Sequence, residues 1–234
     1  MDNEIINELK KRLSGHSTIL DIGFGSGRIS FDILGELTIG KIRGIESRKK
    51  EEIETDHLTF LGPENDKGVY GLIKSDNTID LFDYYKYRVG ENKSMDLESF
   101  NEKVDFSFSK AFKEFIKENN DRFDLAILFN VLHYTDIGEP EWVLDQVKGI
   151  LTENGLILIS FKNFKQSVGQ IDEDRQEIDT QSMIERLETD FKTIICKDSK
   201  TESSIIYLGE RIRPQQNIFE FNGAVAEVFG KFLK

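Results

Sequence analysis

The chain has 234 residues, of which 38 % are hydrophobic and 32 % charged, and its formal net charge is −12 at pH 7. This length suits one large domain, and the composition excludes collagen-like, disordered and disulfide-scaffold proteins. The negative charge argues against DNA or RNA as a partner, because a nucleic-acid binder needs basic surface to displace counterions from phosphates. We therefore expect a folded domain with no nucleic-acid partner.

Cysteine usage and apolar segments bear on the compartment. Cys196 is the single cysteine, so it has no intramolecular disulfide partner, and without a His/Cys cluster we expect no metal site. The N-terminus reads MDNEIINELKKRL, which has neither the basic leader nor the apolar core of a signal peptide. The longest apolar runs, LAILF and LILI, are far shorter than a membrane span of ~20 residues. These features predict a cytoplasmic protein with no membrane partner.

Apolar periodicity predicts alternating helices and strands along the chain. A helix is expected over 109–119 with Ser109 as its N-cap, and another begins at Pro140 and ends at Gly155. The remaining predicted helices cover 3–13, 28–37 and 180–191, and the predicted strands cover 18–22, 41–46, 104–108, 125–129, 156–160, 191–197 and 204–209. This alternation predicts an α/β fold, with a doubly wound, mostly parallel sheet and helices on both faces.

Two segments interrupt this order within a single domain that spans 1–234. Residues 48–103 are too long for an ordinary crossover and are predicted to be an insertion between strands 2 and 3. Within them, residues 68–89 are predicted to form a small β element whose two apolar stretches flank Ser75-Asp76-Asn77. Residues 211–234 form a C-terminal extension that ends in a short amphipathic helix.

A glycine-rich turn is the most informative motif. Gly23, Gly25 and Gly27 follow the first predicted strand and open a helix, so a bare backbone and a helix N-terminus face the same point. Glu46 ends the second strand, where an acid is placed to accept hydrogen bonds from ribose hydroxyls. The alternative is a tight turn with no ligand. A dinucleotide fingerprint, G-x-G-x-x-G, would need a third glycine where Arg28 stands.

At this point the sequence resembles the class I S-adenosylmethionine-dependent methyltransferases. Residues 21–27 (DIGFGSG) match the first motif of that family position by position, and Glu46 matches its ribose-binding acid. Residues 123–134 resemble its fourth strand and the following loop, and residues 147–160 resemble its helix into strand 5. The resemblance covers roughly residues 1–47 and 104–210.

The resemblance implies a Rossmann-like methyltransferase fold, with a seven-stranded sheet and a reversed final strand. It also implies S-adenosylmethionine as the cofactor. The methionine end and the ribose would lie on the first motif, the adenine on residues after strand 3, and the wall toward the substrate would follow strand 4. The residues implied are Asp21, Gly23, Phe24, Gly25, Gly27, Glu46, Phe106, Ser107 (or Phe108), Asn130 and Val131. Asp105 departs from the family pattern, because it lies inside strand 3 instead of at its end.

The residues after strand 4 also bear on catalysis and on the acceptor. His133 is the first candidate for a general base, with Tyr134 and Asp136 as weaker ones, and the alternative is that His133 only packs in the loop. Family members that methylate exocyclic or amide nitrogens often carry two prolines after the residue that Asn130 matches, but Val131 follows here. This difference favours a small-molecule methyl acceptor.

Several alternatives remain open on the sequence. The chain could be a catalytically weak cofactor-binding protein, acting as a sensor or partner subunit, or, against the glycine spacing, a nicotinamide-dependent oxidoreductase. Aromatic residues at 82–87 either cap the cofactor and shape the acceptor pocket or form the core of the insertion. Val225, Phe229 and Phe232 either mark a homodimer contact or pack on the parent sheet.

Overall fold

The computed structural model describes residues 1–50, 80–134, 136–162, 178–198 and 204–213. The predicted β element around residues 75–77 and the C-terminal residues from 214 onward, with the predicted dimer contact, lie outside these ranges. In the described ranges, none of the helices combines the length and apolar character needed to cross a membrane.

Seven strands form one sheet in the order β3-β2-β1-β4-β5-β7-β6. β1 through β5 pair in parallel, whereas β7 runs antiparallel to both β5 and β6. The strands are β1 Thr18–Ile22, β2 Lys41–Ile45, β3 Val104–Ser107, β4 Phe123–Phe129, β5 Leu151–Lys162, β6 Phe191–Asp198 and β7 Ser204–Arg211. The described helices are α1 Asn3–Arg12, α2 Arg28–Glu36, α3 Leu81–Val89, α4 Leu97–Lys103, α5 Phe112–Glu118, α6 Pro140–Ile150 and α7 Thr180–Asp190. The predicted doubly wound sheet with a reversed final strand is confirmed.

The pleat of the strands divides the core between two faces of the sheet. Ile19 and Leu125 pack on one face with α1 to α4, whereas Leu20 and Ala126 pack on the other face with α5 to α7. Both central strands are covered on both sides, which explains their continuous apolar sequences. The chain leaves β1 toward β2 on one side and returns to β4 on the other. Ligands bind at such a switch point, outside the carboxyl ends of the strands.

The described part of the insertion is helical. Residues 81–89 were predicted to belong to the small β element, but they form α3, which Asp80 caps by accepting the N–H of Phe82 at 2.8 Å. Tyr84 and Tyr85 are both buried, and their ring centroids lie 6.0 and 5.6 Å from that of Phe31 in α2. Burial of these aromatic side chains on α2 favours the helix over the strand.

Two predicted helix boundaries are wrong. The first is the N-cap at Ser109, which instead has a φ of 53° and donates its N–H to the carbonyl oxygen of Arg48 at 3.0 Å, so α5 begins only at Phe112. The second is the end of α6, which lies at Ile150, five residues before Gly155. Leu151 already pairs with Phe123 in the sheet, and the register then shifts within β5 before Leu156 pairs with β4.

Candidate functional site

The glycine loop connects the end of β1 to the start of α2. Gly23, Gly25 and Gly27 have φ angles of 65°, 52° and 76°. The N–H of Gly23 bonds to the carbonyl oxygen of Ile45 at 2.8 Å, and the N–H of Gly27 bonds to that of Phe24 at 2.8 Å. The chain's own backbone hydrogen bonds therefore hold the loop against the end of β2.

Gly23 and Gly25 are required for different reasons. A Cβ atom on Gly23 would lie 2.4 Å from Cγ1 of Val131, so this glycine lets the loop after β4 pack against the loop after β1. A Cβ atom on Gly25 would have Nη2 of Arg48 as its nearest contact, at 3.6 Å. Gly25 therefore leaves the backbone accessible to a ligand on that side.

Phe24, between these glycines, anchors the loop to β3. Its ring stacks on that of Phe106 with a centroid distance of 4.0 Å, and it meets the Phe108 ring edge-on at 5.2 Å. Phe106 in turn stacks on Phe31 of α2 at 5.9 Å. Phe106 thus supports the glycine loop from below.

Glu46, directly after β2, holds the loop from the side. Its carboxylate accepts the N–H of Gly25 at 2.9 Å on one oxygen and both the N–H and Nε of Arg48 on the other, at 3.1 and 3.2 Å. The residue is only 5 % exposed. Three donors therefore fix the orientation of this acid at the wall of the site.

Asp21 lies at the base of the loop. Its carboxylate is 2 % exposed and accepts the hydroxyl of Ser30 at 2.6 Å. Burial raises the pKa of Asp21 from 3.8 to about 7; the Ser30 hydrogen bond opposes this shift, and the nearby charge of Glu46 adds to it. The site thus contains a carboxyl group that changes charge near neutral pH.

The residues that follow β4 form the opposite wall. Asn130 has a φ of 58°, and its backbone N–H and side-chain Oδ1 bond to the carbonyl oxygen and hydroxyl of Ser160, at 2.8 and 3.0 Å. Asparagine tolerates this left-handed conformation better than most residues do. The turn directs the chain so that Val131 packs against Gly23.

These elements enclose a cavity of about 880 Å³ at the carboxyl ends of β1, β2 and β4. Its volume falls within the range of small-molecule sites, ~300–1,000 Å³. Of the residues predicted from the sequence, the cavity brings together Asp21, Gly23, Phe24, Gly25, Glu46, Asn130, Val131 and Tyr134. In the described part of the chain, the predicted residues that do not line it are Gly27, Phe106, Ser107 (with its alternative Phe108) and His133.

The two candidate catalytic side chains therefore differ in position. Tyr134 lines the cavity and is partly exposed, whereas His133 is 2 % exposed and lies behind it. Their ring centroids are 4.3 Å apart. His133 can influence the cavity through Tyr134.

The cavity wall also contains residues that the sequence patterns did not indicate. The wall after β3 is formed by residues 110–112, because the N–H of Lys110 bonds to the carbonyl oxygen of Glu46 at 2.9 Å and keeps the chain beside β2. The length of the connection between β3 and α5, residues 108–111, could have indicated from the sequence that the chain runs along the cavity there. Further lining residues include Ser26, Arg28, Arg48, Tyr84, Arg88, Asp136 and Ile137. Of these, Asp136 had been considered as a base and Tyr84 as part of a cap.

The fold of this chain also occurs in solved structures of known proteins. No protein-family model and no curated protein matches the sequence. Among solved structures, the magnesium protoporphyrin IX methyltransferase ChlM of Synechocystis PCC 6803, with S-adenosylhomocysteine bound, superposes with a TM-score of 0.53. The fold is that of the class I methyltransferases. The ChlM match has 12 % sequence identity and covers 90 % of this chain and 81 % of the other.

Other structures with this fold align over a similar part of the chain. The N-methyltransferase NodS of Bradyrhizobium japonicum WM9, also with S-adenosylhomocysteine bound, gives a TM-score of 0.51 at 10 % identity and covers 89 % of this chain and 84 % of NodS. The pyocyanin biosynthetic protein PhzM aligns over 90 % of this chain at 14 % identity and a TM-score of 0.47. The present chain spans 55 % of the length of PhzM.

Proposed function

We propose that this chain binds S-adenosylmethionine in the cavity and transfers its methyl group to a small-molecule acceptor. The observation that carries the proposal is the position of Glu46, which ends β2 and contacts Gly25 of the glycine loop on the cavity wall. An acid at this place accepts hydrogen bonds from ribose hydroxyls. ChlM and NodS, which share the fold, bind S-adenosylhomocysteine and support the choice of cofactor.

The residues of the cavity fit this cofactor. The Cβ space of Gly25 is open on the cavity side, so a ligand can approach the backbone there. Glu46 offers carboxylate oxygens to the ribose hydroxyls, and Asp21, in its ionised form, complements the cofactor's ammonium and sulfonium charges. The 110–112 segment and Ile137 provide a mixed polar and apolar wall for the adenine of the cofactor. The predicted adenine contacts at Phe106 and Ser107 are replaced in this proposal by residues 110–112.

When bound, the cofactor supplies a methyl group that an acceptor displaces in line, with the carbon–sulfur electron pair leaving on sulfur. The chain's own residues align the acceptor and exclude water. Where the acceptor must lose a proton, we assign the uptake of that proton to the phenolate form of Tyr134, because this residue lines the cavity. His133, in ring contact with Tyr134, is a positioning residue in this scheme.

The geometry at Arg28 weakens the nicotinamide alternative. A dinucleotide fingerprint uses its third glycine to bring a helix close to a strand. Arg28 occupies that position as the first residue of α2, and it is exposed and lines the cavity. The loop therefore lacks the third glycine of that fingerprint.

Calorimetric titration tests the cofactor. We expect the wild-type protein to bind S-adenosylmethionine and S-adenosylhomocysteine but not NAD. Glu46→Ala should weaken both sulfur ligands at least ~10-fold, since hydrogen bonds to a charged group contribute ~1.5–3 kcal/mol each. The matched control is Asp105→Ala, which removes a carboxylate that pairs with Lys41 and Arg43 on β2. Binding of NAD alone, or of none of the three ligands by folded protein, would refute the proposal.

Turnover then distinguishes a methyltransferase from a protein that only binds the cofactor. The measurement is the release of S-adenosylhomocysteine in the presence of candidate small-molecule acceptors. We expect acceptor-dependent release that Tyr134→Phe reduces. A protein that binds the cofactor tightly but never releases product with any acceptor would instead be a sensor or a partner subunit.

A further inference from the structure

Four polar side chains cluster at one side of the cavity, where α2 and α3 meet. Ser26 belongs to the glycine loop, Arg28 is the first residue of α2, and Tyr84 and Arg88 come from α3. All four line the cavity. We refer to them as the arginine cluster.

The two helices hold the cluster together by contacts one turn apart. Nη2 of Arg88 bonds to Oδ1 of Asp32 at 2.5 Å, and Asp32 is one turn after Arg28 on α2. Tyr84, one turn before Arg88 on α3, shares a hydrogen bond with the Ser26 side chain. Asp32 is only 12 % exposed at its side chain, so it orients Arg88 from behind while 31 % of the Arg88 side chain stays exposed.

The local charge at the cluster contrasts with that of the whole chain. Arg88 pairs with Asp32, which also pairs with the N-terminal ammonium of Met1 at 2.7 Å. Arg28 adds a second guanidinium group at the cavity wall, in a protein whose formal net charge is −12. Burial raises the pKa of the Tyr84 phenol, and the positive charges of Arg88 and Arg28 act against this rise. The Tyr84 phenol therefore stays protonated near neutral pH, and the residue lines the cavity. The N-terminus of α2 adds a further positive potential at the same place.

This combination of donors suits a carboxylate. Guanidinium groups bind carboxylates through two parallel hydrogen bonds, and hydroxyl donors can complete the coordination. We propose that the arginine cluster binds a carboxylate group of the methyl acceptor, so that the protein acts on small carboxylic acids. The inference rests on the proposed function, since it names the substrate class of the same cavity.

The chain position of the cluster favours the acceptor over the amino-acid end of the cofactor as the source of the carboxylate. Tyr84 and Arg88 belong to α3, in the long segment between β2 and β3, where a parallel crossover needs only one helix. The cofactor, in contrast, is assigned to Asp21, Gly25 and Glu46. A second helix beside α2 thus adds donors beyond those that the cofactor requires.

The test uses the full chain saturated with S-adenosylhomocysteine and pairs of probes that differ only in charge. Benzoate is compared with benzamide, and phenylacetate with phenylacetamide, by calorimetry. We expect at least one acid to bind at least ~10-fold more tightly than its amide. Arg28→Gln and Arg88→Gln should each remove most of this preference, while the affinity for S-adenosylhomocysteine changes less than ~2-fold.

Two further variants separate binding from folding and from bulk charge. Tyr84→Phe keeps the buried ring and removes only the hydroxyl. It should therefore weaken the binding of the acids without loss of the helical circular dichroism signal. Arg43→Gln removes an equal charge from an ion pair with Asp121, outside the cavity. It should change neither the preference for acids over amides nor the affinity for S-adenosylhomocysteine.

Three outcomes would overturn the inference. The first is equal binding of acids and amides, including no binding of either. The second is a loss of S-adenosylhomocysteine affinity in the arginine variants that matches their loss of acid binding, because the cluster would then hold the cofactor's own carboxylate. The third is an equal effect of Arg43→Gln. Failure of the proposed function itself is seen earlier and separately, as no binding of S-adenosylhomocysteine by the wild-type protein.

Discussion

The carboxylate of Glu46 accepts the backbone N–H of Gly25 at 2.9 Å, and this bond joins the end of β2 to the middle of the glycine loop. The two residues are 21 positions apart in the sequence. Their contact fixes the position of the acid relative to the loop. A ligand that uses Glu46 therefore meets a preorganised loop, which reduces the entropy that binding costs.

Gly25→Ala tests the role of the open backbone. Its φ of 52° strains any side chain, which costs about 1–2 kcal/mol, and the added methyl group would point toward the cavity. We expect at least ~10-fold weaker binding of S-adenosylhomocysteine, measured by calorimetry, with only a modest drop in thermal stability. Gly149→Ala is the control, because Gly149 lies in α6 with nothing within 4 Å of its added Cβ, and alanine there should stabilise the helix by about 0.5–1 kcal/mol. Wild-type affinity in Gly25→Ala would contradict the cofactor position.

Gly23→Ala tests the contact between the loops after β1 and β4. The new Cβ atom would overlap Cγ1 of Val131, so we expect a loss of about 2–4 kcal/mol in the free energy of unfolding. Val131→Ala in the same chain should recover the part of that loss that is due to overlap, and chemical denaturation of the double-mutant cycle measures it. Additive losses in the double variant would show that the strain lies in the backbone alone.

Asp21 should make stability depend on pH in an unusual direction. Its pKa rises from 3.8 to about 7 on folding, so between pH ~4 and ~7 the unfolded chain has released a proton that the folded chain still holds. The carboxyl therefore stabilises the fold fully below pH ~4, loses this contribution as pH rises, and adds no further change above ~7. Its effect is at most about 4 kcal/mol, at ~1.4 kcal/mol per pKa unit.

Asp21→Asn, which cannot ionise, checks this assignment. Compared with wild type, the variant should gain relative stability between pH 4.5 and pH 8 in urea denaturation. Asp105→Asn, at a side chain that is 37 % exposed, is the control for the removal of one carboxylate from outside the cavity. Parallel curves for Asp21→Asn and the wild type would show that burial does not shift this carboxyl.

Tyr134 and His133 should respond differently to substitution. Tyr134→Phe removes a hydroxyl from a residue of the cavity wall, so kcat should fall at least ~10-fold for an acceptor that loses a proton, with little change in stability. His133→Gln alters a buried side chain and should lower thermal stability more than it lowers kcat. Steady-state kinetics and melting curves of both variants decide between them. A larger kcat loss in His133→Gln would make the histidine the base.

The residues predicted from the sequence agree best with the cavity lining where the prediction rests on backbone position. Asp21, Gly25 and Glu46 follow directly from strand ends and glycine spacing, and all three line the cavity. Phe106 was assigned to the adenine contact because it lies near the end of β3. Its ring instead stacks on Phe24. Whether a side chain near the end of β3 contacts the cavity or the glycine loop depends on tertiary packing and not on the local sequence pattern.

Tyr84 and Arg88 are residues whose place at the cavity could not be predicted from the sequence. Their spacing of one helical turn could indicate a helix, but the neighbouring apolar residues in 68–89 equally suggested strands. Contact with Phe31, far away in sequence, stabilises the helix and brings both side chains to the cavity. Propensity alone could not decide this, because tertiary packing overrides weak local preferences.

The sequence by itself determined the α/β order, the parallel sheet and the glycine loop at its carboxyl edge. Apolar periodicity and backbone conformation are local properties, so short stretches of sequence suffice to predict them. Only the tertiary structure decided that Tyr134 and not His133 faces the cavity, and that α3 brings Arg88 beside Arg28. Those outcomes depend on contacts between residues distant in sequence, whose energies are set by how the whole core packs.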